Sequence, residues 1–502
     1  MSGILKIKKF NETYIQLDAE PDILYEIADH FQFEVPGARY HPKVKAGIWS
    51  GYIRLFNLNN RLIYCGLLER VIEFCKARKV TPELVDSPAF GLPGQQDNIH
   101  LDDVQDYIDS LNIHSRGDKI EIRDYQISGV YSALKNKRKT VLASTGSGKS
   151  VIQYVISRYI TENHGRVLIV VPTIQLVDQM YGDFKDYSTE NGWDVEAECH
   201  KISGGKEKIS KKNIVISTWQ SIQKMESGWL NQFTGIIVDE VHTAAAMVLT
   251  KLMEKSTDVQ YRIGLTGTLS KAKANEMVIV GLFGDITRIT NTKKLMEDGH
   301  LAGINIKTIV LKYNESKPLF AKKIDYHKEL EFLTKHERRN KFIRKLALSL
   351  EGNTLILFQL VEGHGDILYK LLMENCGDRQ IHYVHGGVAA DDREEVRHIV
   401  EDSNNSIILA SFGTFQAGIN IKKLHNIILA SPTKSMIRLL QSIGRGLRTH
   451  ESKTHLNLYD IIDALNVSKT KRNHTYLHGI ERLSIYTDQE FEYKIIEVPI
   501  EK

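Results

Sequence analysis

The run Ala143-Ser144-Thr145-Gly146-Ser147-Gly148-Lys149-Ser150 combines the residue types that bind a polyphosphate, and Asp239-Glu240-Val241-His242 supplies carboxylates further along the chain. Amide N–H groups of a glycine-rich loop, together with the start of the helix behind it, cradle phosphate oxygens. Ser144, Thr145, Gly146, Ser147 and Gly148 fill that loop. Lys149 is the cation that would neutralise a γ-phosphate, and Ser150 carries the hydroxyl that would hold Mg²⁺. Asp239 is the second partner for Mg²⁺, and Glu240 is placed to orient an attacking water. The chemistry is hydrolysis of a nucleoside triphosphate, with ATP and Mg²⁺ as the expected cofactors. One departure stands out: Ala143 occupies the place where the strict phosphate-loop pattern has glycine.

Such groups act only if strand ends deliver them. The apolar run Lys139–Leu142 reads as a buried parallel strand, and Val151–Ile156 has the content of a helix packed on a sheet. Gly235–Val238 is a second strand, carrying Asp239 and Glu240 out at its C-terminal end, where α/β sheets place their ligands. Around these the chain alternates strands and helices as a parallel sheet requires, with further strands at Val167–Val171, Ile214–Ser217 and Arg262–Leu265. The alternation then repeats without a phosphate loop: Thr354–Phe358, Ile381–Val384, Ile407–Ala410, Ile427–Ala430 and Leu456–Ile461.

The expected fold is therefore α/β, with two tandem parallel-sheet domains. An N-terminal α+β accessory domain spans 1–113, with strands at Leu5–Lys8 and Thr13–Leu17 and helices at Ile23–Phe31 and Leu101–Leu111. Gly91–Asp97 reads as a loop. The first sheet domain covers 114–313, a charged connector 314–335, the second sheet domain 336–465 and a short helical tail 466–502.

Lys and Arg number 66 against 62 Asp and Glu, so the formal net charge is only +4 and any polyanion-binding surface must be local. The four cysteines (Cys65, Cys75, Cys199, Cys376) form no CxxC pair, which argues against a zinc site or a disulfide framework and for free thiols in a reducing compartment. No apolar run approaches membrane-spanning length, and the N-terminus has no hydrophobic signal core. A soluble intracellular protein without a membrane partner is expected.

The motifs of the two sheet domains, taken in order, resemble those of superfamily 2 DExH helicases, whose two domains are RecA-like. Arg123-Asp124-Tyr125-Gln126 resembles the adenine-recognition element: Arg123 or Tyr125 can stack on a base, and Gln126 can satisfy its polar edge. Pro172-Thr173 with Gln179, and Thr218-Trp219-Gln220-Ser221, resemble strand-contacting motifs that hold phosphate oxygens without reading sequence. Leu265-Thr266-Gly267-Thr268 resembles the motif coupling ATP state to domain closure. In the second domain Gln359, the Gly386-Gly387 turn, and Ser411 leading to Gly418 continue the set, Gly418 on the ATP side and Ser411 on the nucleic-acid side. Gln441-Ser442-Ile443-Gly444-Arg445-Gly446-Leu447-Arg448 fits the helicase Q-x-x-G-R-x-x-R motif. Arg445 and Arg448 lie three apart, on one helix face, where guanidinium groups would neutralise charge developing in phosphoryl transfer. The resemblance implies that ATP closes the cleft between the two domains and hydrolysis opens it, moving a gripped strand stepwise.

Thr292–Gly299, Ala417-Gly418-Ile419 and the N-terminal Gly47–Arg54 together resemble the UvsW-type helicases of T-even phages. That resemblance implies a host-cytoplasmic enzyme acting on branched DNA: Holliday junctions, forks, D-loops and R-loops, during recombination, repair and replication. It implies single-stranded and branched DNA and RNA–DNA hybrids as partners, phage recombination or single-strand-binding proteins as associates, and a monomer. From the residues alone, Arg39, Tyr40, Lys43, Lys45, Trp49, Tyr52 and Arg54 interleave cations with aromatics, as nucleic-acid surfaces do. Lys43 and Lys45 would share one strand face if the segment is extended. The competing reading is a β-hairpin whose Trp49 and Tyr52 form a small core. Lys201–Lys212, with five lysines, is either a second phosphate-binding segment or a solvated loop. Three other functions stay open: an RNA helicase, since DExH enzymes serve both nucleic acids; an ATP-regulated annealing or junction-binding protein; and a restriction-type translocase, for which no nuclease-like acidic cluster is evident.

Overall fold

The computed structural model describes residues 3–35, 37–86, 99–163, 165–202, 209–244, 247–269, 273–313, 325–417, 421–432, 439, 443–444, 446–447, 450–465 and 472–500. The chain divides into two units, Met1–Thr290 and Asn291–Lys502.

The first unit is built on a seven-stranded sheet in the order Cys199–Ile202, Ile214–Thr218, Val167–Val171, Gly235–Asp239, Tyr261–Thr266, Arg138–Ala143, Ile286–Thr290. Every pairing is parallel. Val167–Val171 is apolar at each position and wholly buried, as a parallel strand covered on both faces must be. Because strand side chains alternate, its residues split between two cores: Val167, Ile169 and Val171 join Ile237 and Ile263 on one face, Leu168 and Val170 join Ile236 and Val238 on the other.

That second core does not stop at the sheet. It runs on into the N-terminal module through Leu5, Ile7, Ile15, Leu17 and Phe31. The module is a four-stranded mixed sheet, Leu62–Tyr64, Tyr14–Asp18, Ile4–Lys9, Thr81–Val85, with helices Pro21–His30 and Leu68–Arg78. Glycines let it approach the helix Lys273–Phe283: a Cβ on Gly66 would lie 2.2 Å from the Val280 carbonyl, and one on Gly281 would lie 2.7 Å from Tyr64. Arg262, fully buried, donates to Thr13 Oγ1 at 2.7 Å and to the carbonyls of Met253 and Val259, while Arg138 bridges to Glu12 at 3.0 Å. The segment expected as a separate accessory domain over 1–113 is thus welded to the first sheet domain by a shared core and a buried guanidinium.

The second unit carries another all-parallel seven-stranded sheet, ordered Ile381–Val384, Ile407–Ser411, Thr354–Phe358, Asn426–Leu429, His455–Ala464, Gly303–Lys312, Tyr493–Pro499. Two boundaries move. Gly303–Lys312 pairs along its whole length with His455–Ala464, so the second unit begins at Asn291 and not after 313. The tail beyond 466 contains the expected helix, His474–Asp488, followed by the edge strand Tyr493–Pro499, which sequence reading does not anticipate. Within the charged connector, 314–324 lies outside the described residues, and Tyr326–Lys335 is a helix belonging to this unit. Its Glu329 is buried and accepts from the Thr475 N–H at 2.7 Å and the His474 N–H at 3.0 Å, an anion satisfying the exposed amides at the start of the tail helix.

Cys65, Cys75 and Cys199 are buried thiols and Cys376 is partly exposed; all four are free. Among the described residues no helix is long and apolar enough to cross a membrane.

Candidate active site

The strand Arg138–Ala143 ends in the phosphate loop and the helix Lys149–Asn163 starts at Lys149. Gly146 and Gly148 take positive φ values of 86° and 81°, which turn the loop back on itself. Gly148 has a second reason to be glycine: a Cβ there would lie 2.3 Å from Gln126 Nε2. The adenine-element residues pack against this loop. Gln126 accepts from the Arg123 N–H at 2.9 Å and donates to the Ser147 carbonyl at 2.8 Å, while Arg123 donates to the Tyr125 hydroxyl at 2.7 Å. Gln126 therefore braces the loop.

Three adjacent strands deliver the rest. Tyr261–Thr266 lies between the phosphate-loop strand and Gly235–Asp239, so Lys149, Thr266 and Asp239-Glu240 converge at the C-terminal end of the sheet. Lys149 Nζ donates to the Ala143 carbonyl at 3.3 Å and lies 3.7 Å from Glu240 Oε1. Glu240 adopts a left-handed φ of 50°, an unfavourable conformation for a side-chain-bearing residue and one that recurs at functional sites. Its carboxylate faces His242 Nδ1 at 3.2 Å and accepts from Thr266 Oγ1 at 3.4 Å and from the Gly267 N–H. Burial works to raise the Glu240 pKa, but the Lys149 ammonium and the His242 hydrogen bond outweigh it and hold the group down at about 2. Asp239 moves the other way, to about 6, because it is buried beside the Glu240 charge. The arrangement holds Glu240 in its ionised form.

Ser144 Oγ, Ser147 Oγ, Asp239 Oδ1, His242 Nε2 and Thr268 Oγ1, on the segments that follow these strand ends, are buried without a hydrogen-bond partner. Buried polar atoms are nearly always satisfied, so orphans gathered around one loop mark a place for a polar ligand. The donor set fits nucleotide and metal: a hard divalent cation takes hydroxyl and carboxylate oxygens, which Ser150 and Asp239 offer. The sequence motif flags the Thr266 region without naming its link to Glu240 and His242. Only the pairing of the strands reveals it.

The residues expected from the sequence to contact a nucleic-acid strand share a construction. Thr218 and Ser411 each end a strand, Thr173 lies two residues beyond one, and all three cap the next helix, their hydroxyls accepting from Ser221 N, Thr414 N and Leu176 N, all at 3.3 Å. Thr173 is exposed, whereas Thr218 and Ser411 are buried caps. The first two motifs touch, since Gln220 Nε2 donates to the Pro172 carbonyl at 3.4 Å. Gln179 is exposed on its helix, and Gly386-Gly387 is an exposed turn beside the Ser411 strand. Gly418, Gln441, Arg445 and Arg448 lie outside the described residues.

At 39–54 neither sequence reading holds whole. Pro42–Lys45 is a helical turn started by Pro42 and capped by His41, so Lys43 and Lys45 do not share a strand face. Lys43, Lys45 and Arg54 are exposed, as are Tyr40, Ile48 and Tyr52, and Arg39 sits over the Tyr40 ring at 4.8 Å. Trp49 is half-buried, edge-on to the exposed His41 and donating to the Tyr52 carbonyl at 3.1 Å. In the other basic segment, Lys201 is engaged by Asp178 at 2.7 Å and Lys212 by backbone carbonyls; 203–208 lies outside the described residues.

Two RecA-like sheets in tandem, one bearing a phosphate loop with an acidic strand end beside it, define an NTP-hydrolysing helicase of superfamily 2. Family models agree: residues 119–271 match the type III restriction enzyme res subunit, 337–450 the helicase conserved C-terminal domain, and 5–81 the N-terminal domain of DNA helicase UvsW. The chain belongs to the UvsW helicase family. It is 34% identical to the ATP-dependent DNA helicase uvsW of Enterobacteria phage T4 over 97% of this chain and 98% of that one. The crystal structure of T4 UvsW superposes with a TM-score of 0.53 at 31% identity, covering 99% of this chain and 100% of that one. A putative HsdR subunit fragment of a type I restriction enzyme from Vibrio vulnificus shares the fold, with a TM-score of 0.56 at 18% identity over 81% of this chain and 73% of that one.

Proposed function

We propose that this chain is an ATP-dependent DNA helicase and translocase acting on branched DNA, namely Holliday junctions, forks, D-loops and R-loops, in phage recombination, repair and replication. The observation that carries the reading is the N-terminal module. It matches the UvsW N-terminal model over residues 5–81, and the likeness to T4 UvsW covers 97% of the chain. Single-stranded and branched DNA and RNA–DNA hybrids are then the partners, with recombination or single-strand-binding proteins as associates of a monomer in the host cytoplasm.

In this reading Ser144–Gly148 cradle the triphosphate, Lys149 neutralises the γ-phosphate, and Arg123, Tyr125, Gln126 and Gly418 complete the nucleotide site. Glu240 orients the attacking water, its carboxylate held by His242, Thr266 and the Gly267 N–H. Ser150 and Asp239 would hold Mg²⁺, which supplies charge neutralisation at the phosphates. Gln441, Arg445 and Arg448 serve as further hydrolytic groups from the second unit. Pro172, Thr173, Gln179, Thr218, Gln220, Gly386, Gly387 and Ser411 track the DNA backbone. Of the last group, Thr173, Gln179 and Gln220 have the exposure for direct contact, while Thr218 and Ser411 act by fixing helix starts.

The exposed cations and aromatics of the module are proposed to engage the branch. Replacing Lys43, Lys45 and Arg54 together by alanine should weaken four-way-junction binding and flatten its salt dependence, by about one in log–log slope for each phosphate no longer neutralised. Trp49→Phe, which keeps a half-buried ring beside His41, should leave binding much less affected. Fluorescence anisotropy across a salt series reads both, and an unchanged slope in the triple variant would assign this surface no part in binding.

A further inference from the structure

The Tyr187 hydroxyl lies 2.7 Å from Ser150 Oγ, the proposed metal-binding hydroxyl. Tyr187 is the last residue of the helix Ile174–Tyr187 and is 9% exposed. Its ring meets Tyr154 edge-on at 5.5 Å between centroids, and Tyr154 is itself wedged edge-on against Phe184 and Trp193. The Tyr154 hydroxyl is fixed in turn by Arg158 Nη1 at 2.8 Å and Ser188 Oγ at 3.0 Å. A packed aromatic cluster therefore aims one phenol, from an element outside the phosphate loop, at the loop's serine. Packing alone would be served as well by phenylalanine.

A serine hydroxyl has one proton and two lone pairs. When the proton is committed to an acceptor on one side, the lone pairs point to the other and become better ligands, as partners behind metal ligands generally make them. We propose that Tyr187 is a positioning residue for the metal site: its phenol oxygen accepts the Ser150 proton and turns the serine lone pairs toward the cation that accompanies the nucleotide. The inference rests on the reading of Ser150 as a metal-binding residue. It also places the control of that ligand on the helix whose other end is capped by Thr173.

The test is equilibrium binding of a fluorescent ATP analogue titrated with MgCl₂, with a parallel titration in EDTA, for the wild type, Tyr187→Phe, Ser150→Ala and the double variant. Tyr187→Phe should raise the Mg²⁺ concentration for half-saturation about 10-fold and leave affinity in EDTA unchanged. In the Ser150→Ala background the same substitution should have no further effect. A wild-type Mg²⁺ response in Tyr187→Phe overturns the inference, as does a lowered requirement, which would make the phenol a competitor of the cation. Persistence of the 10-fold change without Ser150 also overturns it. Ser150→Ala with a wild-type Mg²⁺ response would remove the metal assignment of Ser150 and the inference together, whereas a weakened Ser150→Ala beside a normal Tyr187→Phe removes the inference alone.

Discussion

Lys149→Ala is expected to abolish ATP hydrolysis, with kcat falling on the order of 10³-fold or more, the scale of losing a charge-stabilising group in a preorganised site. The structure gives the lysine two duties. It is the cation aimed into the phosphate loop, and at 3.7 Å it is the counter-charge of Glu240. Without it the Glu240 carboxylate sits beside Asp239 with its main source of stabilisation gone, so its pKa should climb from about 2 back toward or above the ordinary value of 4.5. The sign of the stability effect follows. A depressed carboxylate stabilises the fold above its unfolded pKa, and the contribution fades as pH falls from about 4.5 toward 2. The variant should lack that contribution and so lose less stability over this acid range. DNA binding, carried by other residues, should persist. Measuring phosphate release and junction binding on the same preparation separates the two, and normal hydrolysis by Lys149→Ala would refute the site assignment.

The largest effect on stability is expected at Asp463→Ala. Asp463 is buried and accepts from Arg339 Nε at 2.8 Å, Arg339 Nη2 at 3.0 Å and the Tyr313 hydroxyl at 2.7 Å. Arg339 has no exposed surface and also donates to the Ala430 carbonyl at 2.7 Å. Removing the carboxylate would leave the buried guanidinium without its counter-charge and the buried phenol without the acceptor Asp463 provides. Breaking one partner of a buried pair costs about 3–5 kcal/mol. For a unit of this size that corresponds to a melting shift of roughly 10 °C. Calorimetry should show the transition of Asn291–Lys502 moving down and that of Met1–Thr290 staying in place. A shift of that size confined to the first unit, or none at all, would count against the network's structural weight. The network also reaches Gln359, because Arg339 Nη1 lies 3.5 Å from His364 Nε2, and Ser431 Oγ joins His364 Nδ1 at 3.0 Å to the Gln359 N–H at 3.1 Å.

What the sequence reveals follows burial. Strands covered on both faces announce themselves as apolar runs, which is why Val167–Val171 and Thr354–Phe358 appear in the structure with the expected ends; Ile381–Val384, an outermost strand of the second sheet, is legible despite its partial burial. Sheet edges do not. Tyr493–Pro499 is largely exposed along its length and carries no burial period, and Cys199–Ile202 is a short edge strand with a half-polar pattern. Gly303–Lys312 follows the first sheet so closely that only its pairing assigns it to the second. At 43–45 the alternation of lysine and valine suggests a strand, but Pro42 with its fixed φ and the His41 cap favour a helical turn. In the candidate site the loop and the two carboxylates are readable as contiguous patterns. The Glu240–His242–Thr266 cluster and the Tyr187–Ser150 pair are not, because their partners come together only through strand order and helix packing.

Whether ATP hydrolysis here serves branched DNA is decided by the steady-state ATPase rate with four effectors: single-stranded DNA, duplex DNA, a four-way junction and single-stranded RNA. Strongest stimulation is expected from the junction or from single-stranded DNA, with a weaker response to duplex. The junction response should be lost in the Lys43, Lys45 and Arg54 triple variant. Stimulation by RNA alone would contradict the branched-DNA assignment and place the chain among RNA-directed helicases.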